Sequence, residues 1–147
     1  NSTSIEQIEK IWPYLTEKEY DIVIGSIEVP GAEINERAQW YRRILGKYSK
    51  YIIRIVAGLW SIHDTQRGFK LFSAASAQNI FSRTKINRFG FDIEALALAK
   101  KMGYKIKEFP VIWDNPGDST VSLESYFGAL RDLFKIRWYL WINKYKL

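Results

Sequence analysis

Apolar residues change their spacing several times along the chain, and each change marks an element. Ile5, Ile8, Ile11 and Trp12 recur at helical intervals up to about Leu15. Ser2-Thr3-Ser4 precedes them, and Thr3 with Glu6 and Ser4 with Gln7 have capping-box spacing, so a helix opens there. Tyr20 to Gly25 is a short β-branched run, the signature of a buried strand. Glu28 to Glu36 contains Pro30 and Gly31 and reads as a surface loop. A long amphipathic helix is expected from about Arg37 to Gly58, then a strand over Gly68 to Ser73 and a short helix over Ala74 to Phe81. Arg83 to Arg88 is a basic loop, Asp92 to Met102 a helix closed by Gly103, and Lys105 to Trp113 a strand. After a turn at Asn115-Pro116-Gly117-Asp118, Val121 to Leu147 reads as one helix with Ser122 as its cap. This order of helices and strands predicts an α/β fold with a mainly parallel sheet, in a single domain spanning residues 1–147.

Two helices carry more than a core-facing stripe. In the first, Tyr41, Ile44, Leu45, Tyr48, Tyr51, Ile52, Ile55 and Val56 form the apolar stripe, and Arg43, Lys47, Lys50 and Arg54 stack on another face. The pattern alone favours a core helix with a solvated basic face over a helix lying on anionic lipid. In the last helix Tyr126, Phe127, Leu130, Leu133 and Phe134 share a face. Beyond them Ile136, Trp138, Tyr139, Leu140, Trp141, Ile142 and Tyr145 are interleaved with Lys135, Arg137, Lys144 and Lys146. That mixture suits an interfacial anchor and equally suits packing against a partner helix.

Composition narrows the chemistry. A 47% hydrophobic chain of 147 residues can bury a real core, and its net charge of +6 favours an anionic partner. No cysteine and a single histidine, His63, exclude a disulfide framework, a thiolate metal site and a His-rich metal centre. No P-loop or dinucleotide fingerprint is present, and no Ser/His/Asp arrangement supports nucleophilic hydrolysis. The basic residues are scattered over several elements, which argues against a nucleic-acid surface. No signal-peptide pattern opens the chain, and no apolar run reaches the ~20 residues that span a bilayer. The first residue is Asn1 rather than Met, so a longer protein with an upstream part is expected.

The densest cluster of chemistry is His63 to Phe72, HDTQRGFKLF, a polar turn feeding an apolar strand. Gly68 would let the backbone turn or approach a ligand closely. Asp64 and, further on, Asp92 are candidate carboxylates for orientation or proton work. Arg67, Lys70, Arg83, Lys85 and Arg88 lie between them in sequence and could position a phosphorylated ligand. Against this, Asp92 also suits a helix cap and Arg67 a solvated charge.

In these segments the chain resembles the polyprenyl-phosphate glycosyltransferases of family 2, a group that includes dolichyl-phosphate β-glucosyltransferases. The resemblance runs through YDIVIGS (Tyr20 to Ser26), RAQWYRRILG (Arg37 to Gly46), DTQRGFKLF (Asp64 to Phe72), FGFDIEAL (Phe89 to Leu96), FPVIW (Phe109 to Trp113) and RDLFKIRW (Arg131 to Trp138), in order and over nearly the whole chain. It implies part of a GT-A (Rossmann-like) fold with amphipathic interfacial helices. The nucleotide-binding half and its metal-binding D-x-D motif would lie upstream of Asn1, with no metal ligand in this chain. The implied activity is inverting transfer of a sugar, expected to be glucose, from a nucleotide sugar such as UDP-glucose to a polyprenyl or dolichyl phosphate, with Mg or Mn, at the cytoplasmic face of a membrane. By the same resemblance Asp64 and Asp92 would be catalytic. Arg37, Arg42, Gln66, Arg67, Lys70 and Ser119 would hold the acceptor phosphate, and the basic helix face would turn to headgroups.

The chain departs from the family pattern at Ile27, at Gly117-Asp118-Ser119-Thr120 and at Arg67. The first two remove cations, and Arg67 could replace one. A non-catalytic membrane-associated module or degenerate relative is the alternative reading. A sheet cut at this point should expose Tyr20 to Gly25 as an edge strand, prone to pairing with another copy and lowering monomer stability.

Overall fold

The computed structural model describes residues 3–36, 40–87, 90–115 and 123–147. It is α/β, as the alternation of patterns predicts, with two small sheets and five helices among the described residues.

The chain starts with a single 3-10 turn, Ile5–Gln7, capped by the Ser4 hydroxyl, which accepts from the Glu6 N–H. Helix α1 (Ile8–Thr16) follows, then strand β1 (Ile22–Ser26), whose five residues are all buried. β1 lies between β3 (Lys70–Phe72) and β4 (Ile106–Pro110), antiparallel to the first and parallel to the second. Two of the three described strand pairings are parallel, as expected, and the antiparallel β3 makes the central sheet mixed. One expectation is corrected: Tyr20 to Gly25 leads into the centre of its sheet, not an exposed edge. Both neighbours of β1 come from later in the chain, so its backbone is paired on both sides without any upstream strand.

Two further strands depart from the pattern. Glu33–Glu36, read as loop, forms β2, which pairs in parallel with β5 (Ile112–Asn115). The run Lys105 to Trp113 is therefore two strands in two sheets. Pro110 has no N–H to continue the ladder. The next residue, Val111, is buried and links the sheets: its N–H donates to Ser26 O at 3.2 Å, while its carbonyl accepts from Glu33 N–H at 3.3 Å. Gln7 holds the other end of the crossing, its amide bonding both the N–H and the carbonyl of Ile112 at 2.8 and 3.0 Å.

Ile22 and Ile24 point to one face of the central sheet, into a core shared with α2 (Trp40–Ala57), α3 (Ala74–Phe81), α4 (Gly90–Lys101) and α5 (Leu123–Trp141). α4 is buried on every side from Ile93 to Ala99, so it has no polar face to display. Gly103, with φ +80, closes it as expected. The last segment is not one helix to Leu147. α5 ends at Trp141, Asn143 takes a left-handed conformation, and Lys144 N–H returns to Tyr139 O at 2.9 Å. Tyr145 then folds inward, and its hydroxyl donates to the fully buried Glu94 at 2.7 Å. Glu94 also accepts from the N–H groups of Lys85 and Ile86, so one carboxylate joins α4, the loop before it and the C-terminal turn.

Both amphipathic helices leave much of their apolar stripe exposed. In α2 the core side is Ile53 and Ala57, whereas Tyr48, Tyr51, Ile52 and Ile55 are exposed. In α5 Leu133 and Ile136 are buried while Phe127, Leu130, Phe134, Trp138 and Trp141 are exposed. α2 packs against α5. The basic row of α2 is partly satisfied within the chain: Lys50 pairs with Glu28, and Arg54 donates to Trp60 O at 2.6 Å.

Gly25 of β1 is closely covered by the segments before β3 and after β4. A Cβ there would stand 2.7 Å from the Phe69 ring and 2.9 Å from Val111. Gly25→Ala is expected to destabilise the chain by about 1–3 kcal/mol, read as a lower urea midpoint with unchanged slope.

Candidate functional site

Because β3 runs antiparallel to β1, its first residue lies at the carboxyl end of β1 and β4, where ligands of open α/β sheets gather. The turn before β3 is thereby brought to the same place. The register supplies the rest. Lys70 and Glu108 are both paired with Ile24, one on each side, just as Phe72 and Ile106 are both paired with Ile22. Paired residues project to the same face of a sheet, so Lys70 and Glu108 extend the core row of Ile22, Ile24, Phe72 and Ile106 by one step. The site is a charged end to a hydrophobic face.

Asp64 is 1% exposed, and its Oδ2 accepts from Ile27 N–H and from Arg67 Nε, each at 3.2 Å. The Asp64 N–H donates to Glu108 Oε1 at 2.8 Å, and the His63 N–H to Glu108 Oε2 at 3.0 Å. The His63 ring Nδ1 lies 2.8 Å from the same Oε2. Lys70 Nζ donates to Asp92 Oδ1 at 2.9 Å and to the carbonyl of Arg67. Arg67 also lies over the Trp113 ring, 4.1 Å from its centroid, which ties β5 to the site. Asp64, Arg67, Lys70 and Asp92 thus form one linked chain of contacts, although 28 positions separate the two acids.

Burial pushes the Lys70 ammonium below the usual lysine range of 10.5, against the pull of Asp92 and, more weakly, Asp64. Arg67 adds to the lowering.

The other sequence candidates are placed unevenly. Gln66 is exposed on the turn, and Thr65 beside it is buried. Arg42 lies in α2 with its side chain outside the described residues; Arg37, Arg88 and Ser119 lie outside them altogether. Arg83 bonds the carbonyl of Asn79, at the end of α3. The N–H of Lys85 is tied to Glu94. Gly68 has no left-handed backbone, and a Cβ there would meet nothing within 4 Å, so neither the turn nor packing requires glycine. Glu108 and Trp113 were not singled out by the sequence. The signal for Glu108 was available, as an acid two residues after Ile106 on the apolar side of a strand.

No protein-family model matches the chain. Among curated proteins, a dolichyl-phosphate beta-glucosyltransferase of Trichomonas vaginalis is 34% identical over 154 residues, covering 99% of this chain and 45% of that protein. One from Dictyostelium discoideum is 29% identical, over 96% of this chain and 43% of its own length. The glycosyltransferase AglD of Haloferax volcanii is 25% identical, over 97% of this chain and 22% of its own length. The chain is similar to the dolichyl-phosphate beta-glucosyltransferases. It spans less than half the length of these curated relatives.

For a resident divalent ion the described residues of this chain are a poor fit. No three His, Asp or Glu side chains among them converge as a cation site, and Asp64 and Asp92 are each bonded to a cation of the chain. The chemistry they can support is that of paired charges held out of water.

The displaced Lys70 proton equilibrium has a definite sign. Between its lowered folded value and 10.5 the unfolded chain binds more protons, so stability rises with pH through that window. Below the window the full burial penalty applies. Relative to Lys70→Met, the wild-type chain should therefore gain stability as pH rises toward 10.5, and the Lys70 Cε resonance should titrate below that value.

Proposed function

We propose that this chain is the acceptor-side part of a membrane-surface glycosyltransferase. The whole enzyme would transfer glucose from a nucleotide sugar, UDP-glucose, to a polyprenyl or dolichyl phosphate. The observation that carries the reading is the contact chain Asp64–Arg67–Lys70–Asp92, buried at Asp64 and at the Lys70 side chain, at the carboxyl end of β1 and β4. It lies within the segments that carry the resemblance.

The acceptor suits such a site. A phosphate monoester has its second pKa near ~6 and is already a competent nucleophile near neutral pH, so it needs orientation and charge screening more than a strong base. One phosphate oxygen bonds the anomeric carbon as the bond from that carbon to the nucleoside diphosphate breaks, with inversion. Arg67 and Lys70 are the cations nearest this chemistry, and each is already held by a carboxylate. An incoming phosphate competes with Asp64 and Asp92 for them, and fixed donors of this kind are effective because they do not reorganise during the reaction. Asp64 sets the direction of Arg67, and Asp92 that of Lys70. Mg or Mn, in this reading, belongs to the donor side and to residues beyond those described.

Support for a membrane surface comes from the exposed faces of α2 and α5. Trp138 and Trp141 lie there beside Arg131, Lys135 and Arg137, aromatic rings next to exposed cations. Among the described residues no helix is long and apolar enough to cross a membrane.

In the full-length protein, Asp64→Asn should lower the formation of lipid-linked glucose by at least ~100-fold while the fold stays intact by circular dichroism. Wild-type turnover in that variant removes Asp64 from the reaction. No transfer by the wild-type enzyme favours the non-catalytic alternative. Replacing Trp138 and Trp141 together by Ala should weaken sedimentation with anionic vesicles by about tenfold, equivalent to about 1.4 kcal/mol. Unchanged sedimentation would detach this face from the membrane.

A further inference from the structure

We propose that Glu108 is a positioning residue that sets the main chain of Asp64 against the sheet, so that its influence on sugar transfer passes through Asp64. The proposal rests on the reading of Asp64 given above.

Glu108 occupies a position where strand alternation calls for an apolar side chain. It is paired with Ile24, two residues after Ile106, and its side chain is only 9% exposed. A carboxylate so placed is tolerated only if donors replace its water. Three donors or ring contacts do so, and all come from one dipeptide: the N–H of Asp64, the N–H of His63 and the His63 ring. Its hydrogen bonds are thus spent on the residue that bears the candidate catalytic carboxylate, and on the residue before it.

The two halves of Asp64 are held by different strands. Its carboxylate is located by Ile27 N–H, one residue past the end of β1, while its backbone is located by Glu108 in β4. β1 and β4 are parallel neighbours in register, so both anchors belong to one rigid ladder. Ile27 alone would leave the backbone free to rotate about that contact, and Glu108 alone would leave the side chain free. Together they fix direction as well as place. A displacement of ~1 Å at a reacting group can lower a rate ~100-fold, so removing one anchor should be felt in turnover.

Glu108→Gln keeps the shape of the side chain but replaces one acceptor oxygen with an amide NH2, which cannot accept from a backbone N–H. In the full-length enzyme this variant should lower kcat by ~10–100-fold, with KM for both substrates within ~3-fold. Added to Asp64→Asn it should cause no further loss, because both changes remove the same contribution. Amide exchange at His63 and Asp64 should accelerate by at least ~10-fold, while β1 stays protected. The exchange measurement tests the anchor even where no transfer is detected. Wild-type kcat in Glu108→Gln, losses that multiply in the double variant, or unchanged exchange at His63 and Asp64 would each overturn the proposal. Should Glu108→Gln fail to fold, Glu108→Asp, one methylene shorter, carries the same three readouts. Wild-type activity in Asp64→Asn, by contrast, is a failure of the parent reading.

Discussion

A carboxylate withdrawn from water must be given donors, and in this protein the donors are mostly main-chain N–H groups of connecting segments. Glu108 takes the N–H groups of His63 and Asp64, Asp64 takes that of Ile27, and Glu94 takes those of Lys85 and Ile86. The bonds of Glu108 and Glu94 join segments with little regular structure to a strand and a helix that the core already holds. A charge-assisted bond to a buried carboxylate is worth about 1.5–3 kcal/mol, against a desolvation penalty that is severe if any donor is lost. The connections are therefore placed as firmly as the strands, and a site can be built on them.

The order of elements was legible because it depends on local periodicity. Ile22, Val23 and Ile24 read as a buried strand and are one, and the helix over Ala74–Phe81 has the bounds its pattern suggests. Pairing was less legible. Nothing in the run Phe69 to Phe72 says that it will lie antiparallel to β1, and that single fact decides whether the Asp64 turn reaches the carboxyl end of the sheet. The break after Pro110 shows the same limit: a five-residue strand and a four-residue strand in different sheets look, in sequence, like one partly alternating run. Of the site, Asp64, Arg67, Lys70 and Asp92 stood out as charges beside glycine and phenylalanine. Glu108 did not: its place two residues after Ile106 marks an acid on the apolar side of a strand, but its partners His63 and Asp64 are met only through the fold.

The amphipathic helices show why periodicity alone misplaces a face. α2 has an apolar stripe strong enough to look like a core contact, yet Tyr48, Tyr51, Ile52 and Ile55 are exposed, while Ile53 and Ala57 are buried. A hydrophobic stripe records that something apolar covers it, not that the cover is the rest of the same segment. The chain spans less than half the length of its curated relatives, and the proposed enzyme works at a lipid surface, so two covers are at hand. The aromatic and basic residues of the α5 face suit an interface between water and hydrocarbon.

The same geometry connects that outer face to the site. Tyr145 follows the last turn of α5 and is fastened to Glu94, and Glu94 stands two residues after Asp92 in α4. Burial and the Glu94 carboxylate both raise the Tyr145 hydroxyl well above the usual tyrosine range, so it remains a donor across ordinary pH. Gly90, at the start of α4, has Asp132 of α5 where a Cβ would stand, at 2.8 Å. The C-terminal part of the chain is thus held to α4 at the middle of α5 and just past its end, on either side of the residue that pairs with Lys70. In the proposed enzyme, where α5 would lie on the membrane, this fastening would tie the depth of Asp92 and Lys70 to that of the exposed α5 face, and a lipid-linked acceptor would be met by position as well as by contact.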